Sequence, residues 1–169
     1  RALGVQTYGT EHAPDSACIA RDAGHHIETC FPDRPDFRLA HGPFEAFASF
    51  NFLEHWPDPR QGLATIRANT TDSAVGLIEV PNCDMILSRG LFSEFISDHL
   101  SYFTKDTLTA LLSISGFEVE SCESIWSDYI LSAKVKKRKP VDGTPFNALR
   151  SKLADQFEQF FTTCGTRRV

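Results

Sequence analysis

Two nearly continuous apolar runs constrain this chain more than any other feature. Phe44–Phe50 reads FEAFASF and Ala74–Val80 reads AVGLIEV. Runs this unbroken suit strands of a parallel sheet that are covered on both faces. Between them, Leu63, Ile66 and Arg67 recur at helical spacing over Arg60–Asn69. A strand, a helix and a second strand in that order predict a doubly wound α/β layer.

The same alternation extends along the chain. Arg1–Gln6 reads as a short buried strand ended by Thr7-Tyr8-Gly9. Pro14 suits a first helical position, and Ala17, Ile19, Ala20 and Ala23 line a helix that Gly24 stops. His26–Phe31 alternates like a strand, and Pro32–Asp36 and Gly42-Pro43 are turn chemistry. A short helix is expected around Leu91–Ile96. Thr104 reads as an N-cap for a helix with Leu108, Leu111 and Leu112 on one face, up to Gly116. Phe117–Glu123 and Ile130–Val135 alternate as strands with no helix between them, which predicts an antiparallel edge hairpin. Lys136–Pro145 reads as a solvated linker. Asn147–Phe161 reads as an amphipathic helix, with Leu149, Leu153, Phe157 and Phe160/Phe161 on one stripe. The expected fold is α/β, a doubly wound, mostly parallel sheet with that hairpin at one edge.

Composition excludes several classes of function. Over 169 residues, 41% hydrophobic and 23% charged side chains describe an ordinary globular domain. A formal net charge of -5 argues against a nucleic-acid partner held through its phosphates. No apolar run reaches the ~20 residues that span a bilayer, and no signal peptide is expected. Five scattered cysteines without a CxxC pair read as reduced thiols of a cytoplasmic protein, and no metal site is expected. The chain opens on what reads as a strand already under way, Arg1–Val5, and closes on Thr166–Val169, which reads as another beginning. A fragment is the expectation.

The polar residues cluster after the first apolar run, in Ser49–Pro59, SFNFLEHWPDP. In open α/β sheets, ligands lie beyond the carboxyl ends of the strands. Ser49, Asn51, Glu54 and His55 are therefore expected to face a cleft. Strand-end capping accounts for Ser49 and Asn51 as well, and helix-start chemistry for Glu54 and His55. Trp56 reads as packing ahead of a substrate platform. His25 and His26 lead into a strand, and Glu79 reads as a hydrogen-bonded structural acid.

The stretch GPFEAFASFNFLEHWPDP, with GLIEVPN, DHLSYFT and TLTALLSISGFEVE following in order, resembles class I S-adenosylmethionine-dependent methyltransferases. The likeness covers about residues 1–136. Asp98–Phe103 and the tail are similar to C-methyltransferases acting on nucleotide-linked sugars. The resemblance implies a partial methyltransferase domain over 1–136, a linker over 137–146 and a linker helix over 147–169 leading to a further domain. It implies S-adenosylmethionine as cofactor and a small-molecule methyl acceptor, with neither nucleic acid nor membrane as partner. Gln6, Asp33, Ser49 and Asn51 are then cofactor contacts, although the turn at Pro32–Asp36 explains Asp33 equally well. His99, His55 and Tyr102 are then catalytic candidates, since histidine can take a proton near neutral pH. A satisfied structural histidine and an aromatic lid anchor stay open beside those roles.

Three departures accompany the likeness. The family's glycine-rich loop and first strand are absent and are expected to lie upstream of Arg1. Gln6 stands where the family has an acid for the ribose, and an amide is the weaker partner. Asn69–Ser73 replaces a Lys-Pro-Gly-Gly turn, with residues that turn by other means. A noncatalytic scaffold of the same fold, supported by Gln6, is the main alternative. An unrelated nicotinamide-binding domain is the other, and the edge hairpin counts against it.

Overall fold

The computed structural model describes residues 4–140 and 146–166. Its strands are β1 (Tyr8–Glu11), β2 (His26–Thr29), β3 (Phe44–Phe50), β4 (Thr70–Pro81), β5 (Phe117–Ile125) and β6 (Ile130–Lys137). Its helices are α1 (Pro14–Asp22), α2 (Pro59–Ala68), α3 (Cys83–Arg89), α4 (Lys105–Ile114) and α5 (Phe146–Thr166). Single 3-10 turns lie at Leu53–His55 and Phe92–Glu94.

The strands form two sheets. β1 and β2 pair in parallel by themselves, and the larger sheet runs β3-β4-β6-β5. β3 and β4 are parallel, whereas β6 is antiparallel to both neighbours. The expected hairpin is therefore present, with β5 at the edge. The expectation of a mostly parallel sheet is corrected to a mixed one. Trp126, Ser127 and Asp128 all have positive φ (51°, 57° and 69°), and this tight reversal lays β6 back between β5 and β4. Among the described residues, no strand pairs with the second edge of β1 or of β3.

One face of the larger sheet carries the core. Ile78, Val80, Leu131, Ala133 and Val135 are buried beneath Leu63 of α2 and Leu108, Leu111 and Leu112 of α4. Thr104 caps α4 as expected, in a reciprocal box with Thr107. The other face is open along β3, where Phe50 is 55% exposed and Val75 of β4, opposite Ala46, is 43% exposed. The reading of FEAFASF as a strand covered on both faces is thus corrected. β3 lies at a sheet edge, and α1 packs on β1 and β2 instead.

Several boundaries differ from expectation. Residues 4–7 form no strand, and residues 1–3 lie outside the described residues. Strand pairing with His26–Thr29 begins only at Tyr8. Asn69–Ser73 is no turn, because β4 starts at Thr70. Asn69 is instead a buried clamp: its side chain donates to the Phe37 and Thr65 carbonyls (both 2.9 Å) and accepts from Leu39 N–H (2.8 Å). α3 was not anticipated. Asn82 caps it by accepting from Asp84 N–H, and Gly90 closes it at φ 66°. Lys136 and Lys137 lie in β6 rather than in a linker, and Val141–Pro145 falls outside the described residues. α5 docks Phe157 and Phe160 against Cys83, Leu87, Phe95 and Tyr102; the Leu149 side chain lies outside the description. Among the described residues no helix is long and apolar enough to cross a membrane.

Candidate active site

The carboxyl ends of β1, β2 and β3 converge. Phe31, just beyond β2, places its ring 5.9 Å from His12, 6.0 Å from Phe52 and 6.4 Å from Trp56. Around this aromatic floor stand Glu11 and His12 after β1, Asn51 after β3, and the turn Leu53–His55. Asn51 has φ 45°, a left-handed conformation that Asn tolerates better than most residues. Its N–H donates to the Glu79 carbonyl at 2.9 Å, and the chain leaves the sheet there. Ser49 is half-buried one pleat earlier, opposite Ile78.

The turn that follows is unusual in what it buries. Glu54 is 1% exposed, and among the described residues neither of its carboxylate oxygens accepts a hydrogen bond from another residue. Burial raises its pKa above the usual carboxylate value, against the opposing pull of a backbone N–H and of His55. His55 Nε2 lies 3.9 Å from Glu54 Oε1. His55 Nδ1 lies 2.9 Å from the Asp98 carbonyl oxygen. A carbonyl only accepts, so Nδ1 carries a proton in this contact.

The second expected constellation meets the first. The Glu54 carbonyl accepts from Leu100 N–H (2.9 Å) and Ser101 N–H (3.1 Å), which staples the 98–101 loop to the turn. The His55 and His99 rings lie 4.8 Å apart, edge to face. Burial, and then proximity to His55, lowers the pKa of His99. Tyr102 pins the same loop: its hydroxyl accepts from Ile96 N–H (3.0 Å) and donates to the Ile96 carbonyl (3.2 Å). Its ring packs on Phe95 at 4.9 Å. Phe95 in turn touches Phe160 of α5.

Not every expected contact comes to this place. Gln6 precedes β1 and accepts from the Tyr8 hydroxyl at 3.4 Å, at the strand end away from the cluster. Its expected position at a strand's carboxyl end is corrected, because β1 begins only at Tyr8. The acid at that end is Glu11, which the strand boundary drawn at Gln6 concealed; an acid three residues before the helix-opening Pro14 was the available signal. Glu11 accepts from Ala13 N–H at 2.9 Å and lies 3.3 Å from His12 Nδ1. Asp33 is exposed beyond β2, 3.8 Å from Arg34, with its N–H on the Phe31 carbonyl (2.9 Å). A cavity of about 500 Å³ lies elsewhere, with Tyr8, His26 and Phe44, the first residues of their strands, among its lining.

No family model matches the chain, and no curated protein matches it. Solved structures do. An S-adenosylmethionine-dependent methyltransferase from Mesorhizobium loti is similar with TM-score 0.62 and 14% identity, over 77% of this chain and 79% of that one. Magnesium protoporphyrin IX methyltransferase from Synechocystis PCC 6803, with bound SAH, gives 0.61 and 9%, over 80% and 66%. A Burkholderia thailandensis 1,6-didemethyltoxoflavin-N1-methyltransferase, with bound 1,6-didemethyltoxoflavin and S-adenosylhomocysteine, gives 0.60 and 17%, over 82% and 64%. The chain therefore has the Rossmann-like α/β fold of class I S-adenosylmethionine-dependent methyltransferases.

Proposed function

We propose that the chain is an S-adenosylmethionine-dependent methyltransferase acting on a small molecule. One observation carries this reading: an acid ends β1, an amide turn ends β3, and an acid–histidine cluster stands beside both. The donor set fits the cofactor. The Glu11 carboxylate suits a ribose diol, which offers two hydroxyl donors to two acceptor oxygens. Phe31 supplies an aromatic wall for a purine, with Asp33 at its rim, and Ser49 and Asn51 offer polar contacts beside β3. Bound there, the cofactor supplies an electrophilic methyl group. The residues' share is positioning: the stapled 98–101 loop and the Leu53–His55 turn hold the acceptor against that group. His55 and His99, both partly exposed, handle the acceptor's proton. Tyr102 acts through the loop as a positioning residue. The specific case we favour is carbon methylation of a nucleotide-linked sugar, which the Asp98–Thr104 pattern and the following helix support.

Calorimetric titration with S-adenosylhomocysteine tests this. Saturable binding is expected, weakened about tenfold or more in Glu11→Gln, because a charge-assisted contact contributes roughly 1.5–3 kcal/mol. Binding unaffected by Glu11→Gln, or no binding at all, overturns the reading.

The sheet supports a second reading. Among the described residues, β1 and β3 each present an unpaired edge, and Phe50 of β3 is exposed. Open parallel edges accept a further strand. Within the first reading, that strand is the one that carries the family's glycine-rich loop. In the second, it comes from another protein and the chain is a noncatalytic scaffold. Saturable S-adenosylhomocysteine binding counts against the scaffold.

A further inference from the structure

We infer that Glu54, His55 and His99 form a binding site for a divalent transition-metal cation of the zinc type. One ligand atom from each lies within 4.8 Å of the others. A cation about 2.0–2.1 Å from each ligand would draw them to roughly 3.3 Å apart, within reach of small side-chain rotations. The second observation is Glu54 itself, a side chain 2% exposed whose two oxygens accept no hydrogen bond from another described residue. Its nearest basic neighbour is His55. With Nδ1 directed at the Asp98 carbonyl, Nε2 is the ring nitrogen that His55 turns toward the carboxylate, 3.9 Å away. A buried carboxylate without a donor is costly to hold, and a cation shared with the neighbouring ring nitrogen relieves that cost. A shared cation satisfies both, and His99 completes the set.

The surroundings match a metal site in two further respects. A ligating histidine typically gives its other ring N–H to a carbonyl or carboxylate, and His55 gives its Nδ1–H to Asp98. The segments bearing the ligands are tied together independently of any ion, by the bonds from Leu100 and Ser101 N–H to the Glu54 carbonyl. Two imidazoles and one carboxylate suit zinc, iron, cobalt or nickel, whereas magnesium and calcium take oxygen ligands. Three protein ligands leave a coordination position open, as in catalytic rather than structural zinc sites. Both histidines are partly exposed, so the site is within reach of solvent. If the methyl-transfer reading holds, the ion would bind an oxygen of the acceptor and acidify the adjoining C–H or O–H, whose proton would pass to solvent, while the histidines would hold the ion instead of taking that proton. Metal binding itself does not depend on that reading.

The test is titration of the chelator-treated chain with Zn²⁺ by calorimetry and with Co²⁺ by visible absorption. One saturable site is expected, with ligand-field bands for Co²⁺. Glu54→Gln and His99→Ala should each weaken binding at least tenfold, while His25→Ala, outside the cluster, leaves it unchanged. Circular dichroism confirms that each variant is folded, and a variant that is not is replaced by His55→Gln. No saturable Zn²⁺ or Co²⁺ binding, or binding indifferent to Glu54→Gln and His99→Ala, overturns the inference. Binding of Mg²⁺ in preference to Zn²⁺ overturns the assignment of the cation. The same samples are titrated with S-adenosylhomocysteine. Nucleotide binding without metal binding sinks this inference alone, and metal binding without nucleotide binding sinks the methyl-transfer reading alone.

Discussion

Replacing Gly62 by Ala reverses the sign that helix propensity predicts. In a helix interior, Ala is favoured over Gly by about 1 kcal/mol, and Gly62 lies in α2. Trp56, however, covers this glycine. A Cβ at residue 62 would stand 2.0 Å from Trp56 Cε3, 2.2 Å from Cζ3 and 2.5 Å from Cδ2. Ordinary contact begins near 3.4 Å, so the indole would have to withdraw by about 1.4 Å. Trp56 is 2% exposed, with Phe31 and Phe52 against its ring, and has nowhere to go without disturbing them. Overpacking costs typically 1–3 kcal/mol, and the rigid buried indole puts this case near the top. Net of the propensity gain, Gly62→Ala should cost about 2 kcal/mol. The assay is urea unfolding followed by Trp fluorescence in a Trp126→Phe background. That removes the second of the two tryptophans, which is 73% exposed, so the signal comes from Trp56. With an m-value near 2 kcal/mol/M, the midpoint should fall by roughly 1 M at unchanged slope. A midpoint that holds or rises would refute the packing account. Followed instead by circular dichroism, the loss should shrink when Trp56→Phe shortens the ring.

Three further outcomes are expected. Asp58 caps α2 by accepting from Arg60 N–H (3.0 Å) and Gln61 N–H (3.2 Å). The Gln61 side-chain amide and these N–H groups lower its pKa, so its stabilisation is present above about pH 4 and fades as pH falls through the lowered value. Asp58→Ala should cost about 1 kcal/mol at pH 7 and flatten the acid limb of a stability–pH curve; an unchanged limb would contradict this. Asn69→Ala leaves the Leu39 N–H and the Phe37 carbonyl without their partner and should cost about 2–3 kcal/mol in denaturant titrations. Proteolysis mapped by mass spectrometry should then find cleavage within residues 34–43. Cys83 is 1% exposed beneath α5, and burial pushes its thiol up to about 11. It should resist alkylation at pH 8, whereas Phe160→Ala, which opens the contact with α5, should speed labelling at Cys83 more than at Cys122.

Much of the fold was legible because its signals are local. The apolar runs at 44–50 and 74–80, Pro14 at a helix start, Thr104 before Leu108, Leu111 and Leu112, and the helix-less interval before Ile130 each act within a few residues. The polar stretch after Phe50 marked the functional end of the sheet for the same reason, and His55 and His99 were both visible as candidates. The boundary of β1 was not legible. Four residues hold it as a strand only because His26–Thr29 lies alongside, and that pairing decides whether Gln6 or Glu11 stands at the cleft. Asn69 looked like turn chemistry, yet its amide is spent on residues 30 and 32 positions away.

The sequence by itself determined most of the strands and helices, though neither α3 nor the bounds of β1, and where along the chain the polar residues concentrate, since hydrophobic period and capping act between near neighbours. Only the tertiary structure decided that Glu54 is buried with no hydrogen bond to its carboxylate from another described residue, and that a loop more than forty residues later brings His99 onto it. Burial and long-range hydrogen bonding depend on which distant segments pack together, and no stretch of local sequence specifies that by itself.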